Sequence, residues 1–258
     1  VRVLDAVTGE ELLNLEHSSQ VDSVAWSPDG SRIATASDGG VRVLDAVTGE
    51  ELLNLEHSRL VRSVAWSPDG RHIATSSTFD AVRVWDAVTG KELLSLERGR
   101  GFGSVVWSPD GSRIATGSDD GVRVLDAVLL SLERVHGLKR GHGFGSVVWS
   151  PDGSRIATGS FGGVRVWDAV TGKELLNLEH DHWVDSVAWS PDGSRIVTSS
   201  SFDDLRVWDA VTGKELLNLE HSHWVDSVAW SPDGSRIATS SSFDDLRVWD
   251  AVTGKELL

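Results

Sequence analysis

Short runs of β-branched and aromatic residues alternate with turn sequences along the chain. Val21–Trp26 is one such run, and Ser27–Gly30 follows it with a proline that presets φ and a glycine that suits a tight turn. Arg32–Thr35 is the next run. After the glycine-containing turn 38–40 comes Val41–Asp45, in which side chains alternate along the run. The pattern predicts three consecutive antiparallel strands.

A fourth segment, Glu51–Glu56, allows two interpretations. Its Leu and Glu residues favour a helix, but the segment is short, lies between turns and recurs at a fixed period. We therefore expect an outer strand at this position rather than a short helix.

The four-segment unit repeats along the chain. Each Ser-Pro-Asp-Gly turn follows the previous one after 40 to 42 residues, with prolines at Pro28, Pro68, Pro109, Pro151, Pro191 and Pro232. A period of roughly 40–45 residues is typical of propeller blades of four strands. The sequence predicts an all-β propeller of four-stranded antiparallel blades, with residues 1–258 as a single domain.

The number of blades stays open between seven and six. Third strands of the Val-Arg-Val type begin at Val1, Val41, Val82, Val122, Val164, Leu205 and Leu246, whereas the Pro-Asp-Gly hairpin occurs six times. Either seven blades form and the first lacks its inner two strands, or six blades close and one outer pair is redundant. We favour seven. The incomplete blade leaves strand edges open, so a homo-oligomer that forms through it is a further prediction.

Two departures from regularity stand out. Leu129–Arg140 lacks Thr-Gly-Lys-Glu and carries extra basic residues, which predicts a distorted outer strand and a longer loop. In contrast, residues 180–217 and 221–258 differ only at Asp181 versus Ser222 and at Val197 versus Ala238. This near-identity, together with the absence of methionine, indicates a recent duplication, a fragment or an engineered chain.

The composition limits the classes of partner. The formal net charge is -15, which repels phosphate backbones and anionic lipids, so we expect neither nucleic acid nor a membrane as partner. No run of residues is long and apolar enough for a membrane helix, and we expect a soluble, cytoplasmic protein. Cysteine is absent, which excludes a disulfide, a thiolate metal site and a cysteine nucleophile.

Four motifs recur together in order: Val-x-Ser-Val-Ala-Trp-Ser-Pro-Asp-Gly, Ile-Ala-Thr-x-Ser, Val-Arg-Val-Trp-Asp and Leu-Glu-His. In this order and at this period the chain resembles the WD-repeat family over essentially its whole length. The resemblance implies a toroidal propeller that acts as a scaffold for protein complexes and has no catalytic activity of its own.

The resemblance also implies a structural hydrogen-bond network of histidine, threonine and tryptophan within a repeat. The matching residues are His57, Thr75 and Trp85; His180, Thr198 and Trp208; and His221, Thr239 and Trp249. The aspartate of the family pattern fits poorly, because Phe79, Phe202 and Phe243 occupy its place and Asp80, Asp203 and Asp244 follow one step later. Leu4, Leu44 and Leu125 replace the tryptophan of other repeats, and Arg98 stands where a histidine is expected.

Aromatic residues in the predicted connections supply the candidate binding surface. For a protein or peptide partner, the candidate residues are Trp183, Trp224, His182, His223, Phe202 and Phe243, with Phe79 and Phe161 in corresponding turns. Exposed aromatic side chains commonly dominate binding at interfaces. The alternative is that these rings pack between neighbouring blades.

Catalytic and metal sites find little support in the sequence. The pairs His180/His182 and His221/His223 suggest zinc, but the first member of each pair is already assigned to the structural network. The Pro-Asp-Gly carboxylates suit turn stabilisation. No phosphate-binding glycine loop or nucleophile elbow is present, so we predict a non-enzyme without metal or cofactor. The alternatives to a scaffold are a structural or engineered repeat protein without ligand and the sensor domain of a larger signalling protein.

Overall fold

The computed structural model describes residues 1–5, 8–78, 82–96, 103–118, 121–127, 134–137, 144–200, 204–220, 224–241 and 246–258. All regular secondary structure within these residues is β-strand. The strands are β1 (Arg2–Leu4), β2 (Glu11–Asn14), β3 (Val21–Trp26), β4 (Arg32–Ser37), β5 (Gly40–Asp45), β6 (Glu51–Glu56), β7 (Val61–Trp66), β8 (His72–Ser77), β9 (Val82–Asp86), β10 (Glu92–Leu96), β11 (Ser104–Trp107), β12 (Arg113–Ser118), β13 (Gly121–Asp126), β14 (Arg134–Gly137), β15 (Phe144–Trp149), β16 (Arg155–Asp168), β17 (Glu174–Trp189), β18 (Arg195–Ser200), β19 (Asp204–Asp209), β20 (Glu215–Glu220), β21 (Val225–Trp230), β22 (Arg236–Ser241) and β23 (Arg247–Asp250).

The strands form antiparallel blades in chain order. Blades one to three are the four-stranded sheets β3–β6, β7–β10 and β11–β14. The long strands β16 and β17 each serve two hairpins, so that β15–β20 together make blades four and five. The other strands form a two-stranded sheet, β1–β2, and a three-stranded sheet, β21–β23. We call these the leading pair and the trailing sheet.

The propeller class is confirmed, but the predicted number of blades is wrong. The described residues form five complete four-stranded blades, neither seven nor six. The leading pair has only the third and fourth strands of a repeat. In the trailing sheet the fourth strand is reduced to a bridge between Trp249 and Glu256. Counting repeat motifs overestimates the blades, because a blade is complete only when all four of its strands pair.

The ambiguous fourth segment is a strand. Glu51–Glu56 forms β6 and pairs with β5, with Val43 opposite Leu53 and Val41 opposite Leu55. Leu55 is buried, whereas Glu51 is exposed, as expected for an outer strand with one face on the core. The cross-strand pairing decides against the helix that the Leu and Glu content would favour.

A glycine allows β5 to approach β6 closely. Gly40 has φ of 152°, and a Cβ atom there would lie 2.5 Å from the carbonyl oxygen of Leu55. The neighbouring Gly39 also has positive φ, at 93°, but faces open space. Of these two glycines, Gly40 alone combines an unusual backbone conformation with a close approach of the neighbouring strand.

The core lies between successive blades. In blade one, Ala34 and Ala36 present small side chains on the face that packs against Val64 and Trp66 of blade two, with Leu55 completing the cluster. A small-residue face against a large-residue face fills the space between two twisted sheets. The same cluster type recurs between blades two and three, three and four, and four and five.

Tryptophan side chains also link neighbouring blades by hydrogen bonds. The indole Nε1 of Trp66 donates to the carbonyl oxygen of Ala25 over 3.2 Å, and Trp107 and Trp230 donate in the same way to Ala65 and Ala188. Where valine replaces this alanine, at Val106 and Val148, the corresponding Nε1 atoms of Trp149 and Trp189 are buried without a hydrogen-bond partner. Alanine at this position therefore coincides with the hydrogen bond between blades.

The irregular segment predicted at 129–140 is partly described. β14 occupies Arg134–Gly137 and pairs with β13, with a shift in register between Val124 and Leu125. Residues 128–133 and 138–143 lie outside the described part of the chain. Among the described residues, no helix is long and apolar enough to cross a membrane.

Candidate functional site

His57, Thr75 and Trp85 come together inside blade two. The Nε2 atom of His57 lies 3.0 Å from Thr75 Oγ1, and Trp85 Nε1 donates to the same oxygen over 3.0 Å. The centroids of the His57 and Trp85 rings are 5.4 Å apart. All three side chains are buried, so this arrangement ties the entry to the first strand to the second and third strands.

The second predicted set has the same geometry. His180 Nε2 lies 2.9 Å from Thr198 Oγ1, and Trp208 Nε1 donates to that oxygen over 2.9 Å. The imidazole and indole centroids are 5.5 Å apart. In both sets, one threonine hydroxyl is in hydrogen-bond distance of both rings, and both histidines are buried.

The third set is only partly described. Trp249 Nε1 donates to Thr239 Oγ1 over 3.1 Å, whereas His221 lies outside the described residues. The candidates for the aspartate of the family pattern also lie outside the described residues; they are Asp80, Asp203 and Asp244. The same is true of Phe79.

Two incomplete versions of the network escaped the sequence analysis. His17 Nε2 lies 2.8 Å from Thr35 Oγ1 in blade one, where Leu44 stands in place of the tryptophan. In blade four, Trp167 Nε1 donates to Thr158 Oγ1 over 3.0 Å. Each of these repeats lacks one of the three residue types of the predicted network at the equivalent position. The His–Thr separation of 18 residues, which the predicted sets share, would have identified the first pair. The Thr–Trp separation in blade four is 9 residues, one fewer than the 10 of the predicted sets.

Phe161 and Trp183 form an exposed aromatic pair between blades four and five. Phe161 is 58% exposed and Trp183 is 38% exposed. Their ring centroids are 6.1 Å apart at an interplanar angle of 69°, an edge-to-face arrangement. The two residues are register partners of β16 and β17, beside the turn at Gly162. The backbone pairing therefore holds both rings at the blade edge.

Trp224 repeats the position of Trp183 one repeat later and is 51% exposed. His182, the neighbour of Trp183, is half-buried. The candidate residues His223, Phe202 and Phe243 lie outside the described part of the chain. We call Phe161, Trp183 and Trp224 the aromatic surface.

Carboxylates border the aromatic surface. Asp181 precedes His182 and is exposed, and Asp185 and Asp226 follow the two tryptophans and are exposed as well. Apolar rings beside carboxylates favour a partner that offers apolar and basic side chains together.

The opposite ends of the strands carry the Ser-Pro-Asp-Gly turns. In one of them, Ser190 Oγ donates to Asp192 Oδ1 over 2.6 Å, and the backbone N–H of Ser194 donates to the same atom over 3.0 Å. The Ser190 hydroxyl is the largest influence that lowers the pKa of Asp192 to about 2. The same arrangement lowers the pKa of the equivalent carboxyls to about 2 at Asp29, Asp110, Asp152 and Asp233. Each of these carboxylates therefore accepts hydrogen bonds within its own turn.

A cleft of about 440 Å³ lies between two of these turns, lined by Asp152, Arg155, Trp189 and Asp192. Arg155 donates from its Nη1 to the carbonyl oxygen of Ala210 over 2.6 Å. The charged groups of the cleft are thus occupied by intramolecular partners. Within the described residues, no cluster of His, Asp and Glu side chains could hold a metal ion.

The five blades and the repeated Thr–Trp pairs define a β-propeller repeat protein. The family model described as WD domain, G-beta repeat matches residues 9–45, 49–86 and 213–250. The family model described as Eukaryotic translation initiation factor eIF2A matches residues 87–207. No significant match to a curated protein is found. Over these three stretches the chain is similar to the WD-repeat family.

Proposed function

We propose that residues 1–258 form one propeller domain that acts as a non-catalytic protein-interaction scaffold and binds a protein or peptide through the aromatic surface. The observation that carries this proposal is the exposure of Phe161 and Trp183 as a paired edge-to-face cluster. Large rings held by strand pairing lose little conformational entropy on binding, which suits them as anchors. The similarity to WD repeats supports the scaffold class.

The surroundings of the rings indicate the chemistry of the partner. Asp181, Asp185 and Asp226 are exposed beside the tryptophans, and the whole chain carries a net charge of -15. A basic segment with an apolar or aromatic residue would place its cation near these carboxylates and its apolar group on the rings. The same charge opposes nucleic acid and anionic lipid as partners. The eIF2A match covers residues 87–207, which also follow the repeat pattern, so this match does not indicate a role in translation.

The test selects peptides from a random display library on the immobilised chain and compares variants for binding of the selected peptides. Trp183→Ala with Trp224→Ala removes two anchors and should weaken binding by at least about tenfold. The matched control is Val88→Ala with Val211→Ala, because both valines are exposed at turns that follow the third strands. Equal binding by both double variants, or selection of no peptide at all, would contradict the proposal.

A further inference from the structure

Trp183 and Trp224 occupy equivalent positions in two consecutive repeats. Each directly precedes a buried valine, Val184 or Val225. Both valines pair with the last residue of the strand that follows them in the hairpin. The two tryptophans therefore lie at the same end of two equivalent hairpins.

The sequence restricts this tryptophan to two neighbouring repeats. Residues 180–217 and 221–258, which contain Trp183 and Trp224, differ at two positions only. The other repeats carry no aromatic residue at the equivalent position, which holds Gln20, Leu60, Gly101 and Gly143. Two nearly identical surfaces thus lie side by side on adjacent sheets.

The exposure of Trp183 does not come from a missing neighbour. β17, which carries Trp183, packs against both β15 and β21. The indole is nevertheless exposed, as is that of Trp224. The position at the end of the hairpin therefore leaves the ring accessible even between packed sheets.

The packing between blade five and the trailing sheet fixes the separation of the two tryptophans. Val228 N donates to Ser186 Oγ over 3.3 Å, and Trp230 Nε1 donates to the carbonyl oxygen of Ala188 over 3.2 Å. Val225 belongs to the buried cluster that joins the two sheets. Because sheets that pack face to face lie about 10 Å apart, one extended peptide can reach equivalent positions on both.

The two tryptophans also share their electrostatic surroundings. Asp185 lies two residues after Trp183, and Asp226 lies two residues after Trp224; both aspartates are exposed. Each site therefore offers an indole ring beside a carboxylate. The same basic and apolar motif is complementary to both sites.

We propose that the partner carries two copies of a basic and apolar motif in one extended segment, and that a single chain binds both copies at once, one at Trp183 and one at Trp224. The inference rests on the proposed function and adds the number of motifs to it. Once the first copy is bound, binding of the second copy is intramolecular. The affinity should therefore exceed that of a single copy by about 100-fold or more, provided that the segment between the copies spans the two rings.

The test uses the tightest peptide of the display selection in two forms: as a single copy, and as two copies joined by a six-residue Gly-Ser linker that reaches about 20 Å when extended. Calorimetric titration should give two single-copy peptides per chain. It should give one tandem peptide per chain, with a Kd about 100-fold lower. The matched control is a tandem peptide in which glycine replaces the apolar residue of one copy, and it should bind like the single copy.

Single variants assign the two copies to the two tryptophans. Trp183→Ala and Trp224→Ala should each bind one single-copy peptide per chain, and this remaining binding shows that the variant is folded. Each variant should bind the tandem peptide no more tightly than the single copy. Val88→Ala changes an exposed valine in a turn that follows a third strand, and it should retain the full gain in affinity.

The outcomes distinguish a failure of bivalent binding from a failure of the proposed function. Binding of the single-copy peptide without a gain for the tandem peptide would overturn bivalent binding alone. So would one single-copy peptide per parent chain, or a tandem peptide that links two chains, which light scattering would detect as an increase in mass over the free protein. If no peptide bound, or if Trp183→Ala/Trp224→Ala bound the single copy as tightly as the parent, both the bivalent binding and the proposed function would be wrong.

Discussion

The indole of Trp85 donates a 3.0 Å hydrogen bond to Thr75 Oγ1, which also lies 3.0 Å from the Nε2 atom of His57. One hydroxyl therefore serves two buried rings that come from different parts of the repeat. In blade three, the equivalent Thr116 has a buried hydroxyl without a hydrogen-bond partner, and Leu125 takes the place of the tryptophan. Blade two thus contains the hydrogen-bonded network, and blade three contains the same threonine without it.

Thr75→Val should destabilise the protein by about 1–3 kcal/mol, because it leaves two buried polar groups without their shared partner. Thr116→Val is the matched control. It removes a hydroxyl that already lacks a partner and should be neutral or slightly stabilising. Urea unfolding followed by circular dichroism would compare the two variants. Equal destabilisation by both would show that the network contributes no more than the shape of the threonine.

The carboxylates of the Ser-Pro-Asp-Gly turns should make stability depend on pH in the acid range. The Ser190 hydroxyl and the Ser194 backbone N–H hold the pKa of Asp192 at about 2, below its ordinary value of 3.8. Because the folded-state pKa is the lower one, this stabilisation is present above about pH 4 and is lost as the pH falls towards 2. Asp192→Asn should therefore lower the unfolding free energy near neutral pH and have little effect near pH 2.

Unfolding by urea at a series of pH values would test this dependence. Asp181→Ser serves as the control, since Asp181 is exposed and the next repeat carries Ser222 at the same place. The control should remain close to the parent protein throughout. A difference between Asp192→Asn and the parent that persists unchanged down to pH 2 would contradict the assignment.

Much of the fold could be predicted from the sequence because its signals are local. Pro28 and Gly30 define a turn by their own backbone preferences, and the alternating residues of 41–45 define a strand. The number of complete blades could not be predicted in this way. It depends on which strands pair in the folded chain: among the described strands β1 pairs with β2 alone, and the fourth strand of the trailing sheet is reduced to a bridge.

The candidate site was less predictable than the fold. Trp183 and Trp189 belong to the same repeat and lie on one continuous strand, yet Trp183 is exposed and Trp189 is buried against its neighbours. Residue type alone does not separate these cases, because exposure depends on how the adjacent blade packs. The His–Thr–Trp network was easier to identify, since its members lie within a single repeat.

Gly40→Ala should destabilise blade one more than Gly39→Ala. Both substitutions place an alanine at positive φ, where side chains are strained. Only at position 40 would the added Cβ meet the Leu55 carbonyl oxygen, at 2.5 Å, so β5 and β6 would have to separate. Thermal unfolding of the two variants isolates this close approach from the shared backbone strain. A lower melting temperature for Gly39→Ala would contradict the expectation.

Trp189→Ala and Trp183→Ala should separate a structural tryptophan from a binding one. Trp189 is buried between blades four and five among residues such as Val148 and Ile196, so its removal should cost about 3–5 kcal/mol. Trp183 is 38% exposed, whereas Trp189 is 8% exposed, so the loss of Trp183 should cost less stability while it removes one ring of the pair with Phe161. The urea midpoint of each variant gives the change in stability, and its affinity for the selected peptides gives the change in binding. If Trp183→Ala lost as much stability as Trp189→Ala, the Phe161–Trp183 pair would be part of the blade core. A loss of binding in Trp183→Ala would then follow from unfolding rather than from the removal of a binding residue.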